Sequence, residues 1–176
     1  LSRKIRRPVK MINTREEEMY ASVIRHEMET HLKFGVTKSG ILTAFQTEYY
    51  LNCGPYTTHT PTIVAAASRK FQYRVPNYLF HGYTVATNGP VAGAFRGYGN
   101  AQLTFGRELM MGRIARQMHL DPIEFRLQNH VKAGEKFPAA AAAVTSCAIE
   151  KCAIRCREIQ AEIDALEDLT ENEDIC

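Results

Sequence analysis

Nowhere in the 176 residues does an uninterrupted apolar run approach the roughly 20 that a membrane-spanning helix needs. Residues 1–10 are too basic and too poor in apolar side chains for a secretory signal. A cytoplasmic location is expected. No C-x-x-C pair occurs, and the five cysteines (Cys53, Cys147, Cys152, Cys156, Cys176) are odd in number and irregularly spaced, which fits reduced thiols better than a disulfide framework. An iron–sulfur or zinc site at Cys147, Cys152 and Cys156 would need a fourth ligand from Cys176 or a histidine, so buried thiols along a helix stripe are the favoured reading. The six histidines show no metal-ligand spacing and read as ordinary polar or satisfied side chains. No internal repeat is visible.

What remains is an average soluble composition, 45% hydrophobic and 23% charged. The length allows one domain, which at this size buries roughly 70% of its unfolded surface. The net charge of +3 hides an asymmetry: residues 1–157 carry +11 and residues 158–176 carry −8. A basic body could meet nucleic acid, an anionic cofactor or an acidic partner, or the tail could fold back on it. The basic run "SRKIRRPVK" reads as a solvated face, and no nucleic-acid or membrane partner is expected.

Along the chain, "LSRKIRRPVK" resembles the end of a helix entering a strand, as if the chain began inside a larger protein. Pro8 breaks the helix, and alternating Val9, Met11 and Asn13 predict a short strand. Thr14 then caps a helix whose first turn holds Glu16, Glu17 and Glu18, where the helix dipole favours acids. Residues 31–36 and 41–51 alternate and are rich in β-branched and aromatic side chains, with "TKSG" between them as the turn of a hairpin. Thr60 before Pro61 opens a small apolar helix, and "NYLFHGYTVATN" returns to strand composition. Leu103, Met110, Ile114 and Met118 predict an amphipathic helix ending near His119, with Gly106 and Gly112 inside it explained by close packing.

Asp121 as cap, Pro122 at the first helical position and Glu124 three residues after the cap define another helix. "AGEKFPAAAAAV" reads as a linker, although its alanine run suits a helix equally. Ile149, Cys152, Cys156, Ile159, Ile163 and Leu166 then mark an amphipathic acidic helix with one apolar stripe. The class is α+β: a mixed sheet with a hairpin and packed helices. Residues 1–135 form the body and residues 136–176 a linker and helical tail.

"GAFRGYGNAQ" (residues 93–102) sets three glycines around one arginine and two aromatics, just before the long helix. Gly97 and Gly99 would let backbone N–H groups approach a ligand, and the helix N-terminus suits an anion. The stretch lacks the third glycine of a dinucleotide fingerprint and the lysine of a P-loop. On spacing alone, a structural turn and an anion site both stand.

"TNGPVAGAFRGYGNAQLTFGRELMMGRIARQMHLDPIEFRLQN" resembles the molybdenum-cofactor-binding subunit of the xanthine dehydrogenase and aldehyde oxidase family. There Thr-Asn, Ala-Phe-Arg-Gly-Phe-Gly, Gln and Asp-Pro-x-Glu-x-Arg-x-x-Asn follow in this order. "RRPVKMINTREEEM", "YRVPN" and "SCAIEKC" also have counterparts, so the resemblance covers roughly residues 6–152. It implies part of a molybdopterin-binding domain, with Gly93, Ala94, Phe95, Arg96 and Gly97 at the cofactor. Arg96 would lie adjacent to the molybdenum without ligating it, as the catalytic cation. Tyr98 would lie at the substrate; it replaces the family's phenylalanine and adds a hydroxyl able to bond a polar group.

The implied chemistry is hydroxylation of an electron-poor carbon of a heteroaromatic or aldehyde substrate, with a glutamate as base. The implied cofactor is molybdenum–molybdopterin, the cytosine dinucleotide form among the options. Iron–sulfur clusters and FAD are expected on partner chains or domains. The family's glutamine- and phenylalanine-bearing glycine segments are expected upstream of Leu1, and its Gly-Glu motif with the base downstream of Cys176. Neither Glu108 nor Glu124 is expected to be that base, so the chain alone should be inactive. Purine-oxidising members carry an arginine about a dozen residues before the counterpart of "YRVPN", where this chain has Val64, which disfavours a purine. A non-catalytic assembly module that keeps the family fold and binds a partner helix through the tail stripe is the alternative.

Overall fold

Two strands rich in β-branched and aromatic residues pair antiparallel: β1 (Met28–Val36) and β2 (Leu42–Gly54), with Phe34 opposite Phe45 and Leu32 opposite Thr47. The expected turn joins them, closed by the Gly40 N–H donating to the Thr37 carbonyl at 3.0 Å, with Gly40 at φ +82°. The computed structural model describes residues 1–173, with side chains described to residue 166.

A third strand, β3 (Asn77–Ala86), lies parallel to β2, giving the order β1-β2-β3. Parallel neighbours need a crossover. Here it contains α3 (Thr60–Ser68), which begins where Thr60-Pro61 places it. The glycine stretch leads into α4 (Asn100–Gln117), and α5 (Pro122–Asn129) follows with Asp121 accepting from the Ile123 and Glu124 N–H groups. The result is an α+β fold with a mixed sheet and packed helices.

Alternation along β2 puts Phe45, Tyr49 and Leu51 on the helix-covered face, all essentially inaccessible. Phe45 stacks on Phe71 with centroids 4.2 Å apart, beside Met111, Ala115 and Phe125. Tyr49 and Leu51 pack with Ile63, Ala67 and Leu103 at the other end of the sheet. Burial of this kind contributes roughly 1.5–3 kcal/mol per large side chain.

Several expectations change. Residues 8–14 form no strand; Met11 and Ile12 are 81% and 74% exposed. Alternation alone does not make a strand without an edge to pair with. The buried row of α4 is Leu103, Arg107, Met111 and Ala115, one position off the expected Met110 and Ile114, because a four-residue spacing faces the sheet and an arginine occupies it. Gly106 does admit close packing: a Cβ there would lie 3.2 Å from Thr30. Gly112 meets nothing nearer than Arg126 at 3.9 Å, so close packing does not explain it.

At the N-terminal end, α1 (Ser2–Ile5) is a single turn, and α2 (Arg15–Ala21) has the full capping box between Thr14 and Glu17. The alanine run is not helical; an isolated bridge joins Lys136 and Ala143. The tail is α6 (Ile149–Glu173), tied to the start of α5 by Arg157, which pairs with Asp121 at 2.7 Å and with Glu124. Its stripe stays open, with Ile159 and Ile163 41% and 42% exposed. Cys152 and Cys156 are exposed and Cys147 only half-buried, so the buried-thiol expectation fails for the tail; Cys176 lies outside the described residues. Among the described residues every cysteine is free, and no group of three or more metal-ligating side chains forms. No described helix is long and apolar enough to cross a membrane.

Candidate functional site

The stretch from Asp121 to Asn129 is scaffolding, and it fixes α4 behind the glycine loop. Arg126 Nε donates to Glu108 at 2.9 Å, and the Tyr73 hydroxyl donates to the same carboxylate at 2.8 Å. Arg107 is wholly buried, donating to the Lys70 carbonyl at 3.0 Å, to Thr104 and to Gln72. Burial pushes the Arg107 guanidinium below its usual pKa, while Glu108 opposes that shift. Glu108 is therefore held in an ion-pair network and Glu124 in one with Arg157. Val64 is a core residue; a Cβ on Gly82 would fall 2.2 Å from its Cγ1.

The loop itself is built on a short crosspiece. Ile24 and residues 91–93 zip together, the Ile24 N–H donating to the Val91 carbonyl at 3.1 Å and the Gly93 N–H to the Ile24 carbonyl at 3.2 Å. Gly93 is buried against Val23, whose atoms would lie 3.1–3.3 Å from a Cβ. His26 is buried and bonds Thr60 at 2.7 Å, which joins the crosspiece to the start of α3. Desolvation, and then the Arg25 charge, hold the His26 imidazole below its ordinary pKa.

Beyond Gly93 the chain turns outward. Ala94, Phe95, Arg96 and Gly97 are all exposed, and Phe95 is 47% exposed. Gly97, Tyr98 and Gly99 then take φ of +94°, +48° and +82°, three left-handed residues in succession. Gly99 is required twice over, because a Cβ there would also strike Ile63 at 2.4 Å. The Tyr49 hydroxyl donates to the Gly99 carbonyl at 3.3 Å, and burial raises its pKa to about 12, so it remains a donor at neutral pH.

Such a run leaves donors unspent. Among the described residues the N–H groups of residues 94–97 have no acceptor, the Arg96 guanidinium has no partner, and α4 begins at Gly99 without a side-chain cap. Consecutive free N–H groups at a helix N-terminus beside a cation suit an anion. Tyr98 turns back: its hydroxyl lies 3.2 Å from His59 Nδ1, and its ring meets the cluster around Ile63 and Leu103.

The structure thus brings Gly93, Ala94, Phe95, Arg96, Gly97 and Tyr98 onto one continuous ribbon. It also supplies residues that sequence reading missed. Arg25 holds the ribbon from beneath, donating to the Arg96 carbonyl at 2.8 Å and to Gln102 at 3.2 Å, with its Cζ 4.5 Å from the centre of the Phe95 ring. His59 and Thr60 complete the surroundings. "IRHE" carries no motif, and nothing in its spacing signals a contact to a residue 71 positions away. A cavity of about 560 Å³ lies elsewhere, beside Arg74, Pro76, Gln128 and Glu135, and no loop residue lines it.

Residues 1–130 match the sequence model of the molybdopterin cofactor-binding domain. The chain is 34% identical over 160 residues to the nicotinate dehydrogenase large molybdopterin subunit of Eubacterium barkeri, covering 90% of this chain and 38% of that protein. It is 33% identical over 154 residues to a putative xanthine dehydrogenase molybdenum-binding subunit of Escherichia coli K12, covering 86% and 20% respectively. The fold is similar to that of the aldehyde oxidoreductase from Desulfovibrio gigas, with a TM-score of 0.79 at 26% identity over 87% of this chain and 17% of that one. The chain therefore spans less than two-fifths of the length of these relatives.

Proposed function

From this chain's membership of the molybdopterin cofactor-binding domain family, we propose that residues 93–99 form one wall of a molybdenum–molybdopterin pocket in the large subunit of a molybdenum hydroxylase. The observation that carries this is the exposed ribbon of residues 94–97, whose donors and Arg96 guanidinium have no partner among the described residues and which runs into three left-handed residues. Gly93, Ala94, Phe95, Arg96 and Gly97 are the residues that would hold the cofactor. When bound, that group supplies the oxidative hydroxylation of an electron-poor carbon in a heteroaromatic or aldehyde substrate.

Arg96 would bring a positive charge to the anionic cofactor without ligating the metal, and would favour negative charge at that edge. Tyr98 would border the substrate, where its hydroxyl and His59 together offer a polar contact. Glu108 and Glu124 are both engaged by arginines, so neither is offered as the base. On this reading the base comes from another part of the subunit. The remaining parts of the molybdenum subunit, an iron–sulfur subunit and an FAD subunit are the partners this reading requires. The open stripe of α6 favours a second reading, an assembly module that binds a partner helix without holding metal.

Metal analysis of the chain purified with all its co-expressed partners separates the two. Stoichiometric molybdenum supports the pocket, whereas an assembly that forms without metal supports the module.

A further inference from the structure

Arg25 reaches the loop from a backbone that is fixed on both sides. Ile24 is locked to Val91 and Gly93, and His26 is buried against Thr60. From that base the guanidinium makes three contacts: Nη2 to the Arg96 carbonyl at 2.8 Å, Nη1 to Gln102 Oε1 at 3.2 Å, and Cζ over the Phe95 ring, 4.5 Å from its centre. A planar fork can satisfy all three at once, whereas an ammonium is a single point charge.

The contact to Arg96 has a geometric consequence. In a trans peptide the N–H points opposite to the C=O. With the Arg96 carbonyl turned to Arg25, the Gly97 N–H is aimed the other way, and among the described residues it donates to nothing. The contact to Gln102 ties the same peptide to the first turn of α4, so loop and helix N-terminus move together.

Resting on the pocket reading above, we infer that Arg25 is a positioning residue: it sets the Arg96–Gly97 peptide plane so that the Gly97 N–H is presented to the anionic edge of the cofactor. On this inference Arg25 acts through that peptide and not by contact with cofactor or substrate. Groups that orient a metal site from behind typically change affinity or activity 10- to 100-fold when removed.

The test uses the intact assembly with all its chains, comparing Arg25→Lys, Arg25→Ala and Arg96→Ala. Arg25→Lys is expected to keep the wild-type melting temperature, yet to retain molybdenum and pterin about 10- to 100-fold less tightly and to shift the molybdenum(V) EPR signal. Arg25→Ala is expected to do the same with a lower melting temperature; should it fail to fold, the lysine variant carries the comparison. If both Arg25 variants hold molybdenum as wild type with an unchanged EPR signal while Arg96→Ala releases it, the positioning role is overturned and the pocket reading stands. If Arg96→Ala also keeps its molybdenum, the pocket reading fails and this inference falls with it.

Discussion

The side-chain oxygen of Asn129 accepts the backbone N–H of Leu42 at 2.9 Å. Its amide nitrogen donates to the carbonyls of Gly40 and Phe125, each at 2.8 Å. The last residue of α5 thus closes the turn of the β1–β2 hairpin 87 positions earlier in the chain, in a site only 2% exposed. Asn129→Ala would leave the Leu42 N–H and the Gly40 carbonyl without these partners, whereas the Phe125 carbonyl lies within the helix. A loss of about 3 kcal/mol is expected from the unmade bonds and desolvated groups. Denaturant midpoints of the two proteins check this, and a difference below about 1 kcal/mol would mean that the turn is held by other contacts.

His26 gives the stability a pH dependence with a definite sign. Its folded-state pKa is lowered from 6.5, first by burial and then by Arg25. The unfolded chain therefore takes up a proton that the native state refuses. Stability from this site is complete above about pH 6.5 and declines as the pH falls through that value, levelling off only below the native pKa. His26→Gln keeps a partner for Thr60 and removes the titration. Its denaturant midpoint should lose less than wild type on going from about pH 7.5 to about pH 5.5; parallel losses would place the titration elsewhere.

How legible the fold was depended on whether local signals were backed by local physics. The Thr14 cap, the Asp121-Pro122 start of α5 and the β1–β2 turn are decided within a few residues, and the structure has all three; the Glu17 half of the Thr14 capping box came only with the structure. The strand expected at Val9, Met11 and Asn13 is absent because pairing depends on a neighbour that alternation cannot reveal. The buried face of α4 was displaced by Arg107, a charge that only a tertiary network of Gln72, Lys70 and Thr104 makes tolerable in the core. Arg96 and its glycines were visible as a motif, whereas Arg25 and His59 were not, since each meets the loop only through the folded chain.

Tyr98 tests the substrate side of the loop. Its hydroxyl contacts His59 at 3.2 Å, and its ring packs on the core cluster below. In the intact assembly, Tyr98→Phe keeps the ring and removes one hydrogen bond, which corresponds to roughly tenfold in relative kcat/KM between polar and apolar substrates. Molybdenum content should remain that of wild type. Equal losses of metal and activity would instead make Tyr98 part of the loop's framework.

The most direct measurement is the molybdenum-to-protein ratio of the complete assembly carrying Arg96→Ala, set beside wild type and Arg96→Lys. Stoichiometric molybdenum in wild type, its loss in Arg96→Ala and an intermediate ratio in Arg96→Lys are expected if the residue 93–99 ribbon is a wall of the cofactor pocket. An Arg96→Ala assembly that retains its full complement of molybdenum would contradict that claim.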